Sequence, residues 1–424
     1  MKHSAFKRSS EGTRLWGIWI GALGCFVLAA ATGVLFRYGM LAGLPAGLSL
    51  GNLRHAHSHL MYFGWVTPAL MAMIVLHMVR GRIPSSVVWI PWITLLLGLA
   101  AYVPFLLYGY QPVEWAGRRL PLATMAAGLN IFAWYAYGVV YFRWTRRFDH
   151  PARPWWDLAV SFLILSSLGA WGRAGLTIFR IEDPFWESAT VHFFLYLFAD
   201  GWLILALIGL AGVRDPQIFR ALPRWSWWAL ALGTPWAFLS LMPPTEVPWA
   251  LRLLAGVGGG AAALALGMIG LRFFRTAPLE WRVPLVFLGM CALAKLGFSV
   301  PPLASWALEV ELRIPYLHLL LLGFVTLGLM AGARQVWGAH AAPWLSAMFP
   351  AVGLMMLSLV PLTGLWPSAW SGRWVLVAAM VGALFPFLIA LGMFGRILWV
   401  EGFQRGLLLG SSNPGMEVRD GQGS

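Results

Sequence analysis

Long apolar stretches separated by short polar segments recur along almost the whole chain. Each stretch matches the ~20 mostly apolar residues that an α-helix needs to cross a bilayer. The pattern therefore predicts an all-α membrane protein embedded in the lipid bilayer. Its twelve spanning helices, numbered 1 to 12, are expected at 15–36, 56–79, 85–108, 119–142, 155–178, 187–212, 222–242, 247–271, 281–300, 313–335, 342–363 and 372–397.

The predicted helices define one membrane domain, over 15–397, between two tails. Residues 1–14 form an N-terminal tail, and 398–424 form a C-terminal tail whose polar, Gly-rich end is expected to be partly disordered. The first helix is too long for a removable signal peptide and lacks a small-residue cleavage site. No stretch has room for a fused cytochrome c, nucleotide-binding or copper domain.

Composition agrees with this interpretation. Hydrophobic residues make up 59% of the 424 positions, charged residues only 11%, and the mean hydropathy is +0.72. A soluble domain carries roughly a quarter charged residues. The two cysteines, Cys25 and Cys291, lie in apolar segments without a CxxC pair. Their placement argues against a disulfide framework, a Cys-ligated zinc site and an iron–sulfur cluster.

The net charge of +14 reflects membrane topology. With the N-terminus in the cytoplasm, 20 of the 30 Lys and Arg residues fall on the inner side and eight on the outer side. Basic residues concentrate in cytoplasmic loops of membrane proteins. The distribution predicts a multi-pass protein of a bacterial-type inner (cytoplasmic) membrane with both termini cytoplasmic, and it needs no nucleic-acid partner.

Helices 2 and 10 carry a common motif. The segments HLMYFGWVTPALM from His59 and HLLLLGFVTLGLM from His318 both fit H-L-x-x-x-G-[W/F]-V-T-x-x-L-M, and helix 6 holds a looser copy with Gly201 and Trp202. These helices are four apart in sequence order. The spacing predicts three arcs of four helices around a pseudo-threefold axis; a chance match of two Leu-rich helices is the alternative.

Five of the nine histidines lie at one depth near the outer face, in the first turns of helices 2, 6 and 10. They are His55, His57, His59, His192 and His318. Imidazole is the usual protein ligand of haem iron, copper and zinc. Two residues apart on a helix, His57 and His59 project about 200° apart, so they cannot both face one haem, whereas His55 and His59 share a face.

Helix 2 resembles helix II of heme-copper oxidase subunit I, which has an H-x-x-x-M-x-F pattern followed by V-x-P-A-L; here these positions run from His57 through Met61 and Phe63 to Leu70. The resemblance implies a twelve-helix fold in three arcs, with His57 as an axial ligand of a low-spin haem. In helix 6, His192 and Tyr196 resemble the H-x-x-x-Y that holds a copper ligand and an active-site tyrosine.

The chain also departs from that family. Helix 7 contains no His, so the usual paired copper ligands are missing, and helix 10 carries only His318 where oxidases have H-x-H. The NnrS family, haem- and copper-containing proteins linked to nitric oxide stress, is more similar. Its H-x-H-x-x-x-F-G resembles the segment from His57 to Gly64, and its later H-x-x-x-x-G resembles the segment from His318 to Gly323.

Two metal sites are therefore expected. A haem b is predicted between helices 2 and 10 with His57 and His318 as axial ligands; His59 is the alternative partner of His318, because the repeat aligns those two. A second site, for copper or another soft divalent metal, is predicted at His59 and His192, with or without His55, and with Tyr196 beside it. Since His59 projects away from His57, it is expected to face the arc that contains helix 6.

Other polar residues near these sites are candidates for function. Tyr196 and Asp200 share a helical face with His192, which predicts a short catalytic path leading inward; alternatively, Asp200 pairs with a buried cation such as Lys295. Arginines near the outer face could bind haem propionates or anchor the protein at the interface. They are Arg54, Arg252 and Arg373, the last in the loop where oxidases place such residues.

The sequence thus indicates a haem-binding membrane protein that handles nitric oxide or a related small redox molecule, such as O2. Two alternatives stay open. One is an oxidase-like electron-transfer subunit working with an electron-donor subunit or cytochrome, and the other is a proton-coupled secondary transporter. Transporter repeats usually form two halves, unlike the three arcs expected here.

Reporter fusions test the predicted topology. An alkaline phosphatase fused after residue 115 or 308 should be active, because that enzyme matures only outside the cytoplasm, whereas fusions after residues 83 and 215 should be inactive. Activity at the second pair and not at the first would reverse the orientation.

Overall fold

The computed structural model describes residues 10–45, 47–78, 84–146 and 149–410, without the side chains of residues 10, 11, 86, 115 and 403–410. Residues 1–9 of the predicted N-terminal tail and 411–424 of the predicted C-terminal tail lie outside this range. The described part of the chain is almost entirely helical, as the hydrophobic pattern predicts.

Twelve long helices, α1 to α12, form within the described residues. Their bounds are Ser10–Ala42, Leu50–Met78, Ser85–Tyr108, Leu122–Thr145, Arg153–Phe179, Pro184–Ala211, Arg224–Ala237, Trp249–Thr276, Leu279–Phe298, Arg313–Trp337, Leu345–Leu362 and Arg373–Gly410. Eleven of them are long and apolar enough to span a membrane. The exception is α7, which is 14 residues long and contains Pro235.

Helix α7 is shorter than predicted because its α-helical hydrogen bonding changes to a 3₁₀ turn before the predicted end. Its α-helical part is about 21 Å long at 1.5 Å per residue, and a 3₁₀ turn, Phe238–Leu241, follows. Helix α12 differs in the other direction, since it continues to Gly410 instead of ending near residue 397.

Short elements join the long helices. A hairpin links α3 to α4, with strand β1 at Val113–Trp115 paired antiparallel to β2 at Arg118–Leu120. Its two-residue turn has positive φ at both Ala116 (51°) and Gly117 (73°), which is the geometry of a type I′ turn. Short helices at Gln217–Ala221 and Pro301–Glu309 precede α7 and α10.

Helices α2, α6 and α10 form the centre of the bundle. The most apolar stretches of these three are 89%, 83% and 67% buried, against 28–44% in the other spans. Two of them, α2 and α10, are joined by a hydrogen bond, since the Trp65 indole of α2 donates to the Thr326 hydroxyl of α10 at 3.2 Å. Three inner helices spaced four apart confirm the predicted arrangement of three four-helix arcs.

Each inner helix contains a π-helical segment at the same place in the repeat. These segments are Leu60–Val66, Leu197–Leu203 and Leu319–Thr326. They begin directly after His59, Tyr196 and His318, respectively. Because π-helix is rare and often marks functional sites, its occurrence at three equivalent positions supports the sequence repeat. Tyr196 thus occupies the position that is His in the other two copies.

The π segment of α2 is in backbone contact with α3. A Cβ atom built on Gly98 would lie 2.6 Å from the carbonyl carbon of Phe63 and 2.7 Å from the Gly64 nitrogen. Such distances are well inside van der Waals contact, and backbone atoms cannot move aside as a side-chain end can. Glycine at position 98 is therefore required for α3 to pack against this part of α2.

The Gly98→Ala variant tests this packing. We expect it to destabilise the fold by about 1–3 kcal/mol, the usual cost of overpacking, measured as a lower melting temperature of the detergent-solubilised protein. Gly128→Ala on α4 is the matched control, because a Cβ there meets no atom within 4 Å. Equal melting temperatures for the two variants would contradict the close approach of α3 to α2.

Candidate functional site

His57 lies between α2 and α1. Its Nδ1 is 2.7 Å from the carbonyl oxygen of Ala29, so Nδ1 carries the proton and donates. Gly33, one turn further along α1, leaves room for the ring, because a Cβ there would be 3.3 Å from its Cε1. The remaining ring nitrogen, Nε2, is the acceptor, and no hydrogen bond reaches it from the described residues.

His318 has the same tautomer. Its Nδ1 donates to the carbonyl oxygen of Ile314 at 2.9 Å, and again no described residue bonds to Nε2. Electrostatic interactions link His318 to His57 and to Arg37. The two histidines that the sequence predicts as axial ligands therefore lie within electrostatic reach of each other, and no described residue hydrogen-bonds to the Nε2 of either.

Arg37 is a residue that the sequence analysis missed as a site candidate. It lies near the end of α1 with only 8% of its surface exposed. Its Nη1 contacts the sulfur of Met40 at 3.7 Å, and no acidic side chain pairs with it in the described part of the chain. A buried cation without a counter-ion is costly, so this position suits an anionic group. The sequence could have indicated Arg37 as a candidate, because its predicted depth in the membrane matches that of the five histidines.

Arg54, Arg252 and Arg373 stay predictions as propionate-binding residues, and the structure shows the surroundings of each within the protein. Arg54 interacts electrostatically with His55 and with Tyr110. Arg252 donates to the Pro301 carbonyl oxygen and to the Ser305 hydroxyl. Arg373 is exposed at the start of α12.

His59 faces α3 and not the arc that contains α6, so its predicted orientation is wrong. Its ring stacks on Phe105 with centroids 3.8 Å apart. Nδ1 donates to the His55 carbonyl oxygen at 2.9 Å, and Nε2 lies 3.4 Å from the Tyr110 hydroxyl. Both nitrogens of His59 therefore have protein partners.

The predicted copper ligands do not come together. His192 of α6 is buried and interacts electrostatically with Arg313 of α10, whereas His55 and His59 lie against α3. Across the described ranges, no three His, Cys, Asp or Glu residues form a group that could hold a metal ion. A site made of His55, His59 and His192 is not assembled.

Instead, a compact polar cluster joins α6, α9 and α10. It consists of Tyr196, Asp200, Lys295 and Tyr316, all buried. The Lys295 ammonium lies 2.7 Å from Oδ1 of Asp200 and donates to the Tyr196 hydroxyl at 2.5 Å. Tyr316 donates to the same Asp200 oxygen at 2.8 Å. We refer to these four residues as the polar cluster.

Of the two interpretations of Asp200, the geometry of the polar cluster shows the ion pair with a buried cation. Asp200 pairs with Lys295, and both side chains are about 5% exposed.

Tyr316 was not predicted as a site residue, although the sequence repeat offered a signal. It lies two residues before His318, as His57 lies two residues before His59. A histidine position of one repeat is thus a tyrosine in another.

Comparison with solved structures supports the fold. A heme-copper terminal oxidase determined as a dimer by cryo-electron microscopy matches 92% of this chain and 84% of its own, with a TM-score of 0.69 and 11% identity. The chain has the heme-copper oxidase subunit I fold. At this identity the match shows the fold alone.

Comparison at the sequence level gives no further assignment. No family model matches the chain, and no curated protein matches it. The NnrS family thus stays a prediction from the sequence motifs of α2 and α10.

The ion pair of the polar cluster generates a stability prediction. Lys295→Met should destabilise the protein by about 3–5 kcal/mol, because it leaves a buried carboxylate unpaired. The double variant Asp200→Asn/Lys295→Met should recover most of that loss. Arg173→Gln, which breaks an exposed pair with Glu187, should cost at most about 1 kcal/mol. Melting temperatures that do not differ between the Lys295 and Arg173 variants would contradict a buried ion pair.

Proposed function

We propose that this chain is an integral membrane protein that binds one haem b through His57 and His318. In this proposal it uses the haem to handle nitric oxide or a related small redox molecule. The observation that carries the proposal is the pairing of these two histidines within electrostatic reach of each other, each with Nδ1 held by a backbone carbonyl.

The residues present fit a haem. Metal-ligating histidines usually donate the other ring N–H to a carbonyl or carboxylate, which fixes the tautomer and aims Nε2 at the metal. Both histidines meet this requirement. The buried Arg37 guanidinium, which has no acidic partner among the described residues, suits a propionate carboxylate. Bound haem would supply one-electron redox chemistry, with a potential set by its axial ligands and surroundings.

The residues present do not fit copper. Of the histidines predicted for it, His55 and His59 are on α2 and lie against α3, whereas His192 is on α6, and His59 uses both nitrogens within the protein. We therefore propose no copper site and no binuclear centre.

An electron-transfer subunit is the second candidate function. If His57 and His318 both held the iron, nitric oxide or O2 could bind it only where one of the two histidines was displaced. An electron-donor subunit or a cytochrome would then be the partner. Adding nitric oxide to the reduced protein separates the two functions, because a spectrum that does not change favours electron transfer.

Ligand variants test the haem site directly. His57→Ala and His318→Ala should each lose the six-coordinate, low-spin haem spectrum of the purified protein, because each removes one axial ligand. His59→Ala is the matched control, two residues away on the same helix, and should keep the spectrum. Retention of that spectrum in the His57 and His318 variants would refute the site, and its loss in His59→Ala alone would make His59 the ligand.

A further inference from the structure

We propose that a buried site between α2, α4 and α6 binds one water molecule, held by the side chains of Thr67, Tyr137 and Trp202. We refer to these three residues as the buried triad. The bound water connects the inner helices α2 and α6, as a direct hydrogen bond connects α2 and α10. This proposal concerns the centre of the bundle and stands whether or not a haem binds at His57 and His318.

The sequence repeat places Trp202 of α6 opposite Thr67 of α2. The Trp65 indole of α2 donates to the Thr326 hydroxyl of α10 at 3.2 Å. When the inner helices are aligned on the glycine of their shared motif, Trp202 is the equivalent of Trp65, and Thr67 is the equivalent of Thr326. Because the three arcs are arranged around a pseudo-threefold axis, α6 meets α2 in the way that α2 meets α10, and the two helices are in contact just beyond these residues.

The third equivalent pair of the repeat is apolar. Phe324 of α10 stands where the other two inner helices have tryptophan, and Ile204 of α6 stands where they have threonine. Both residues are fully buried. An indole donor and a hydroxyl therefore occur together in two of the pairs, and neither occurs in the third. This pairing indicates that Trp202 and Thr67 act together, as Trp65 and Thr326 do.

Aromatic contacts bring α2, α4 and α6 together one turn before the buried triad. The rings of Phe63, Trp134 and Phe198, one from each helix, lie with their centroids 5.3–5.8 Å apart. The members of the buried triad follow these three residues by four, three and four positions, so they lie on the same helix faces. The Tyr137 ring is 6.4 Å from the Trp202 ring between centroids. The buried triad is therefore the next layer of the same three-helix contact.

Each member of the buried triad has a polar atom that lacks a partner. No described residue hydrogen-bonds to Thr67 Oγ1, the Tyr137 hydroxyl or Trp202 Nε1, and all three residues are at most 1% exposed. A threonine in a helix can bond to its own preceding turn, as Thr94 of α3 does to the Ile90 carbonyl oxygen at 3.1 Å. Thr67 does not. Because a buried polar atom without a hydrogen bond is destabilising, three such atoms in one layer call for a ligand.

Water fits the chemistry of the buried triad. An indole N–H can only donate, whereas a hydroxyl both donates and accepts. A water molecule accepts from the Trp202 indole and donates to the Thr67 and Tyr137 hydroxyl oxygens, which gives it the three hydrogen bonds that are typical of buried water. A cation is disfavoured, because an indole N–H offers it no lone pair. The contact of α2 with α6 thus depends on an exchangeable ligand, whereas the contact of α2 with α10, the two helices that carry His57 and His318, has a direct bond.

Isosteric variants distinguish a bound water from unpaired groups. Thr67→Val should lower the melting temperature of the detergent-solubilised full-length protein, because it removes a hydrogen bond to the water. An unpaired hydroxyl predicts the opposite sign, since valine would then replace a buried polar group that has no partner. Thr326→Val, which breaks the direct bond to Trp65, is the matched reference and should lower the melting temperature. A rise for Thr67→Val would overturn the water site.

The double variant Trp202→Phe/Thr67→Val tests whether the two residues share one ligand. Its melting temperature should fall by less than the sum of the two single losses, because either substitution alone disrupts the water site. Additive losses would contradict a shared ligand.

A high-resolution cryo-electron microscopy map of the full-length protein separates a bridging water from a direct bond. We expect one water-sized density peak within hydrogen-bonding distance of Trp202 Nε1 and of the Thr67 and Tyr137 hydroxyl oxygens, and its loss in the double variant. A direct bond between Trp202 and Thr67 without a peak, or a density larger than one water molecule, would overturn the proposal.

Discussion

The close contact among α2, α6 and α10 is the constraint on which the rest of the structure depends. These helices bury most of their surface against other helices, and the Trp65 indole bonds to Thr326 across the centre. Each accommodates an extra residue in a π segment; in α2 the Thr67 amide bonds to the Tyr62 carbonyl, five residues back. The wider turn shifts the residues before it relative to those after it, and the histidines lie just before it.

This arrangement separates the interior into two different chemical environments. Around His57 and His318 there is a buried arginine and no paired carboxylate among the described residues, which suits an anionic prosthetic group. Between α6, α9 and α10, the charges of Asp200 and Lys295 neutralise each other. The proposed haem site and this balanced ion pair therefore occupy different parts of one bundle.

The sequence predicted the features that depend on chain length and composition. Apolar stretches located the helices, and the shared Gly-[Trp/Phe] motif located the inner three. The sequence did not predict which neighbouring helix each side chain faces. An ideal 100° step predicts that His59 points away from His57, but it does not say which neighbour lies there, and Phe105 of α3 takes that place. The sequence offered Lys295 as one possible partner of Asp200, and the structure shows that pair. Tyr316 belongs to another helix, so only the tertiary structure shows that it meets Asp200.

The metal and haem content of the purified full-length protein tests the central claim most directly. The account predicts about one haem b per chain with the electron paramagnetic resonance spectrum of a low-spin iron bound by two imidazoles, because His57 and His318 present one Nε2 each. Protein that folds and purifies without haem, or that carries only high-spin haem, would contradict it.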